Sequence, residues 1–229
     1  MKTRVFSYIF LALISIVSCG QKKQDSQNDG QENAESTLSV QPTFQTDEEG
    51  LPVKQVYEQA KDKSKCFFVI SKVHQEHLSV YEVQGKDTVL LACYPVCLSR
   101  DKGKKERSGD YKTPESYPGE PFSISEIKNA SSWCHDFGDG RGSILAYGHW
   151  FMRLTVPGIK GIGIHGSTGN RESIRKGRDS EGCIRLLDED IIHLHDNYAE
   201  TGTKVIILNE GQEALPFEAR ALKRRLSAK

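Results

Sequence analysis

The sequence predicts a mainly β domain, a β-sandwich or barrel-like sheet braced by one helix. Short apolar runs recur at close spacing from residue 66 onward, and several carry the two-residue alternation of a strand. Two long polar loops, residues 99–121 and 131–143, interrupt the runs and are too long for simple connectors. Only residues 188–202 combine helical periodicity with helix-end chemistry.

The chain opens with Lys2 and Arg4, followed by a mostly apolar run at residues 5–17. A bilayer-spanning helix needs about 20 residues, so this run predicts a signal segment rather than a span. It ends in Ile16-Val17-Ser18-Cys19, which resembles the cleavage box of bacterial lipoproteins. That resemblance implies loss of residues 1–18 as a signal peptide and lipidation of Cys19. The protein would then be anchored to a membrane in the cell envelope, facing the periplasm, with several acyl chains holding it firmly. Residues 20–50 carry seven acids, two lysines and almost no aliphatics. Such a segment cannot bury enough surface to offset chain entropy, so residues 19–50 are expected to form a flexible acidic tether. The whole chain balances 31 basic against 31 acidic residues, without the basic excess that a nucleic-acid reader normally shows.

The main domain is expected over residues 51–210. After Pro52, Val53, Val56, Tyr57 and Ala60 fall on one face of a short helix. Strands are predicted at 66–70 and 78–83, with Gln84-Gly85-Lys86-Asp87 as a hairpin turn leading into a returning strand at 88–97. Further strands are predicted at 122–127, at 144–156 as one bent strand or two, at 159–165, and at 203–208. The two long loops, the second carrying Gly138, Gly140 and Gly142, are expected to line a cleft. Asp188 is the predicted cap of the bracing helix, with Glu189 and Asp190 in its first turn. Ile191, Leu194 and Tyr198 face the sheet, and Gly202 ends the helix. Residues 211–229 are expected to be a solvated basic helix or tail.

The chemistry concentrates in residues 161–187. In Gly161-Ile162-Gly163-Ile164-His165-Gly166, strand alternation turns the isoleucines to the core. The other face is bare backbone ending in an imidazole, a floor for an extended substrate. Cys183 lies in Ser180-Glu181-Gly182-Cys183-Ile184-Arg185. A thiol nucleophile needs a base, open backbone N–H groups and a nearby cation, and His165, Gly182 and Arg185 are of those types. Gly161 to Thr168 half-matches a phosphate loop but lacks its lysine, which removes that reading. His193 and His195 diverge on a helix, and the sequence calls for no metal and no cofactor. Cys66, Cys93, Cys97 and Cys134 allow three disulfide pairings, between which the sequence does not choose.

The residues His165, Gly166, Ser180, Gly182, Cys183 and Arg185 resemble the signature of the YkuD family of L,D-transpeptidases. Leu78-Ser79-Val80-Tyr81, Gly109-Asp110-Tyr111-Lys112-Thr113-Pro114-Glu115 and Phe122-Ser123-Ile124 extend the resemblance over about residues 65–208. It implies the family's β-sandwich and a two-step acyl transfer on peptidoglycan stem peptides, both donor and acceptor. Cys183 would be the nucleophile and His165 the base, the latter oriented by the carbonyl of Gly166 or Ser167. Backbone N–H groups around Gly182 and Cys183 would hold the oxyanion. Arg185 would bind a substrate carboxylate or order the nucleophile loop, and Ser180 would support that loop. The resemblance sets Ser180, Gly182 and Thr113 at the substrate, and His149 either there or in a structural role. The chain departs from the family at Glu181, where histidine or threonine is usual, and in the turn after Thr113-Pro114, which is expanded. A carboxylate beside Cys183 disfavours the thiolate if it points inward and does little if it points to solvent. An L,D-carboxypeptidase or endopeptidase of the same fold and a non-catalytic peptidoglycan-binding lipoprotein are the competing expectations. A monomer is expected.

Overall fold

The hairpin at residues 77–95 shows how directly the local sequence sets this fold. β1 (Gln55–Val56) and β2 (Cys66–Ser71) precede it, and its two arms are β3 (His77–Gln84) and β4 (Asp87–Pro95). Gln84 pairs with Asp87, so Gly85 and Lys86 alone make the turn, with Gly85 at φ 65°. A two-residue loop needs positive φ, which glycine supplies without a steric penalty. This computed structural model describes residues 41–227 apart from 74 and 118. The predicted signal peptide, Cys19 and most of the predicted tether lie outside the described residues.

The chain continues through β5 (Leu98–Ser99), β6 (Phe122–Asn129), β7 (Cys134–Asp136), β8 (Ser143–Leu145), β9 (Trp150–Leu154) and β10 (Gly163–His165). A short helix α1 (Glu172–Lys176) leads to β11 (Arg178–Ser180) and β12 (Ile184–Arg185). Helix α2 (Asp188–Asn197), β13 (Lys204–Ile207) and helix α3 (Pro216–Ser227) complete it. Nine strands form one mixed sheet in the order β1-β4-β3-β2-β13-β6-β9-β10-β12. β13 pairs parallel with β2, and β10 parallel with β12, while the other neighbours are antiparallel. β11 pairs with β5, and β7 with β8, outside the large sheet.

Both halves of the sheet feed one core. Phe68, Ile70, Leu78 and Val80 meet Met152, Ile164, Ile184 and Leu186 there, and Ile191 and Leu194 of α2, with Tyr198 just after it, close it. The mainly β class and the bracing helix are therefore as the sequence predicts. Val69, between Phe68 and Ile70, points the other way, into a second cluster with Tyr81, Leu90 and Cys93. β2 is thus buried on both faces, which is why it reads as a continuous apolar run rather than an alternation.

That second cluster corrects two expectations. Residues 216–227 form the expected helix, α3, but it is not solvated: Ala221 and Leu222 are buried in the cluster, and Phe217 packs edge-on against Tyr81 with ring centres 5.1 Å apart. Residues 41–50 are not all tether, because Phe44 is buried in the same cluster. Its single aromatic ring, set among acids and glutamines, was too weak a periodic signal to read.

Other differences are local. Residues 53–60 are not a helix. Gln55 and Val56 pair with Cys93 and Ala92 at the sheet edge, and Tyr57 N and Glu58 N both donate to Leu91 O. Two valines and a tyrosine fit a pleated edge better than a one-turn helix. The run 144–156 is not a difference: it forms two strands, β8 and β9, one of the two expected alternatives, with Gly148 at φ 64° between them. The predicted strand 159–165 shortens to β10, because Val156 and Ile159 bridge in a small turn. α2 ends at Asn197, where the N–H of Tyr198 closes on Leu194 O; Gly202 serves instead in the turn into β13.

Candidate active site

β10 and β12 lie side by side, with His165 opposite Arg185 and Ile164 opposite Ile184. This parallel pairing brings the two ends of the 161–187 stretch together. Ile162, Ile164 and Ile184 enter the core as the alternation predicts. The opposite face is not wholly bare. A Cβ at Gly163 would sit 2.5 Å from the ring of Phe151, so that ring occupies the space a side chain would take.

Phe151 stacks on the His165 ring at 5.7 Å between centres, and Tyr147 lies across it at 4.9 Å. His165 is 3% exposed, and its Nδ1 is 2.7 Å from Gly166 O. With Nδ1–H donated to that carbonyl, Nε2 carries the lone pair. Of the two carbonyls considered for orienting the imidazole, the bond falls to Gly166. Burial above all, then the charge of Arg185, pushes the His165 pKa down to about 3, against the pull of the Gly166 carbonyl. The ring is a neutral imidazole at neutral pH.

Gly166 is in turn held from below. Asp188 Oδ1 accepts the N–H of His149, and a Cβ at either Gly148 or Gly166 would collide with that oxygen. The expected N-cap role of Asp188 is therefore corrected: its carboxylate reaches back to the 148–149 turn, and α2 starts after Leu187 without a side-chain cap.

The nucleophile loop is tied by Ser180. Its Oγ accepts from Gly182 N at 3.1 Å and donates to Cys183 O at 2.6 Å. Gly182 has φ 133°, and a Cβ there would be 2.9 Å from Lys112 O, so only glycine fits. Because Gly182 N–H is committed to Ser180, Cys183 N–H is the backbone donor left for an oxyanion. Ser180 and Gly182 thus shape the loop rather than line the cleft. Cys183 is partly exposed in the cleft, and its Sγ donates to Gly161 O at 3.4 Å. Burial of the sulfur raises its pKa; the Gly163 N–H, Arg185 and Lys105 offset this in part, and Glu181 adds slightly to the rise. The resting pair is therefore thiol and neutral imidazole, not thiolate and imidazolium.

The cleft encloses about 180 Å³ and has both Cys183 and His165 on its wall. Arg185 is 3% exposed and lines the same cleft; its guanidinium lies 4.8 Å from the Phe137 ring centre and donates to Asp179 O. Its Nε is buried and has no hydrogen-bond partner among the described residues. Lys105 and His135, not singled out in the sequence, also line the wall. Lys105 pairs with Asp110. Burial pushes Asp110 toward the neutral acid. The hydrogen bond from Lys105 and the N–H groups of Glu106, Arg107 and Lys112 outweigh it and hold the carboxyl well below its usual range. His135 Nε2 is 3.2 Å from Glu181 Oε2. Trp133, His135 and Phe137 are spaced two apart, as on one strand face, a signal legible in the sequence but lost inside a glycine-rich loop.

Two expected substrate residues lie elsewhere. Thr113 is 1% exposed and exchanges hydrogen bonds with Ser99, giving its N–H to Ser99 Oγ and accepting Ser99 N–H on Oγ1. It joins two chain segments instead of facing the cleft. His149 spends its N–H on Asp188, and its ring packs edge-on against Trp150, away from the cleft wall. Cys66, Cys93, Cys97, Cys134 and Cys183 are all free thiols in the structure, so none of the three pairings forms.

The L,D-transpeptidase catalytic domain model of the YkuD family matches residues 67–207. No curated protein matches the chain in sequence. Among solved structures it is similar to Bd1075 of Bdellovibrio bacteriovorus, with 17% identity, 76% of this chain and 60% of that one covered, and a TM-score of 0.45. It is also similar to Pgp2 of Campylobacter jejuni, a helical cell shape determining protein, with 19% identity, 74% and 55% coverage and a TM-score of 0.45. An L,D-transpeptidase of Mycobacterium smegmatis shows 17% identity, 62% and 58% coverage and a TM-score of 0.41. The chain spans between 55% and 60% of the length of these structures. On the match over residues 67–207, this chain belongs to the YkuD family of L,D-transpeptidase catalytic domains.

Proposed function

We propose that this chain is a cysteine L,D-transpeptidase that joins peptidoglycan stem peptides through a thioester on Cys183. The observation that carries the reading is the sharing of one cleft by the Cys183 thiol and a neutral imidazole whose Nδ1 is already bonded to Gly166 O. Only Nε2 is then left to take the thiol proton. The thiol leaves Gly161 O, gives its proton to Nε2, and the sulfur attacks the amide on the carboxyl side of the diaminopimelate L-centre. Cys183 N–H stabilises the developing oxyanion. His165 returns the proton to the departing D-residue amine, and the thioester remains. The cation of Arg185 on the cleft wall fits a carboxylate of the donor peptide. An amine of a second stem then resolves the thioester as an amide. A lipid on Cys19 holds the enzyme at its substrate in the envelope.

The test is mass spectrometry of the full chain incubated with tetrapeptide muropeptides. Cross-linked dimers and a protein adduct at Cys183 are the expected products. Tripeptides alone would make the chain a carboxypeptidase, and turnover that survives Cys183→Ala would sink the mechanism.

A further inference from the structure

We infer that Glu181 is the docking group for the amine of the acceptor, an inference that rests on the thioester reading above. Among the described residues that line the cleft, Lys105, Lys160 and Arg185 are basic, and Glu181 is the only carboxylate. It stands two residues from the nucleophile. Each oxygen has one partner, Oε1 with Arg100 Nη2 at 3.4 Å and Oε2 with His135 Nε2 at 3.2 Å. An ionised carboxylate accepts about four hydrogen bonds, so both oxygens keep room for a further donor. The Arg100 side chain is 47% exposed and that of Glu181 35%, so the pair is screened by solvent and readily exchanged.

The charge of Glu181 works against a thiolate on Cys183, so it does not favour the acylation half of the reaction. It suits the second half. The donor stem brings carboxylates, which Arg185 can receive. The acceptor brings an aliphatic amine, which is an ammonium at neutral pH. That ammonium meets its counter-charge in the cleft at Glu181, beside the thioester. Once its proton has passed to solvent, the nitrogen attacks the thioester carbonyl. The C–N bond forms and the C–S bond breaks. The attacking nitrogen gives a second proton to His165, which passes it to the departing sulfur. Glu181 is thus a specificity residue that favours aminolysis over hydrolysis.

The experiment compares the full-length wild type with Glu181→Gln. Each is acylated with a tetrapeptide stem and then challenged either with a diaminopimelate tripeptide or with hydroxylamine, which is uncharged at neutral pH. Intact-mass measurement follows the thioester. In Glu181→Gln the KM for the tripeptide amine is expected to rise about tenfold, with cross-links giving way to hydrolysed product. Acylation should not slow, because the Glu181 charge opposes the thiolate, and the reaction with hydroxylamine should lose far less than the reaction with the tripeptide. An unchanged KM for the tripeptide, or an equal loss with both nucleophiles, would overturn the inference while leaving the thioester intact. If the wild type forms no thioester at all, the proposed function itself falls.

Discussion

His165 and Glu218 are both buried, and burial acts on them in opposite directions. His165 sits in the cleft, and its pKa is pushed down to about 3. Glu218 lies in the first turn of α3, turned toward the second core, where burial raises its pKa to about 7 against the hydrogen bonds from Leu215 N and Tyr81 Oη. The physics is common to both: a low-dielectric surrounding disfavours the charged form, which is the acid of one group and the base of the other. The difference lies in the use. On the proposed reading the neutral His165 accepts the thiol proton, whereas Glu218 ties a helix to a sheet through Tyr81.

Removing the groups separates the two uses most sharply. His165→Ala should lower donor acylation by about 10²- to 10⁴-fold, the usual worth of a general base. Cys183→Ala should abolish the thioester. Cys183→Ala, at a partly exposed position, should shift the unfolding midpoint little, and a large loss of Tm there would mean that the loop depends on the thiol for its structure.

Titration sharpens the same contrast. Because the base form of His165 persists down to about pH 3, the acylation rate should show no loss near pH 6.5. A loss centred there would mean that the imidazole titrates like a solvated one. For Glu218 the folded-state value lies above the unfolded one, near 4.5. Folding therefore takes up a proton between these values, and stability falls as pH rises from about 4.5 to about 7. At higher pH the full cost, on the order of 3 kcal/mol, is present. Glu218→Gln should flatten the dependence, read as Tm across that range. An equally steep curve in the variant would exclude Glu218 as its source.

Smaller effects probe the supports. Asp188→Ala removes the acceptor of His149 N–H and the contact beneath Gly166. A stability loss of about 1–3 kcal/mol is expected from the orphaned N–H, together with slower acylation as Gly166 O loses its position. Unchanged kinetics would show that the carbonyl is held without it. Arg100→Ala, which deletes an exposed pair with Glu181, should cost less than about 1 kcal/mol in stability.

What the sequence conveyed follows the range of the interactions. Cys183, His165, Gly166 and Arg185 were legible because all belong to one stretch on two adjacent strands, and a nucleophile, a base and a cation have recognisable types. The ligature of Ser180 was legible for the same reason. Lys105 and His135 were not, since they reach the cleft from a loop and from β7, outside the stretch that holds Cys183. Thr113 was misplaced because a family segment tells which loop is near, not which of its side chains faces inward. Val53 to Ala60 carried a helical spacing that edge pairing with β4 overrode.

By itself the sequence determined the β class, the hairpin at Gly85-Lys86, the bracing helix and the stretch that brings His165 and Cys183 to one cleft. Periodicity, turn chemistry and short spacing are local properties. Only the tertiary structure decided that Asp188 supports Gly166, that α3 closes a second core, and that Glu181 faces the cleft between Arg100 and His135. Each of these depends on groups brought together from distant parts of the chain, and no local pattern encodes which partner they meet.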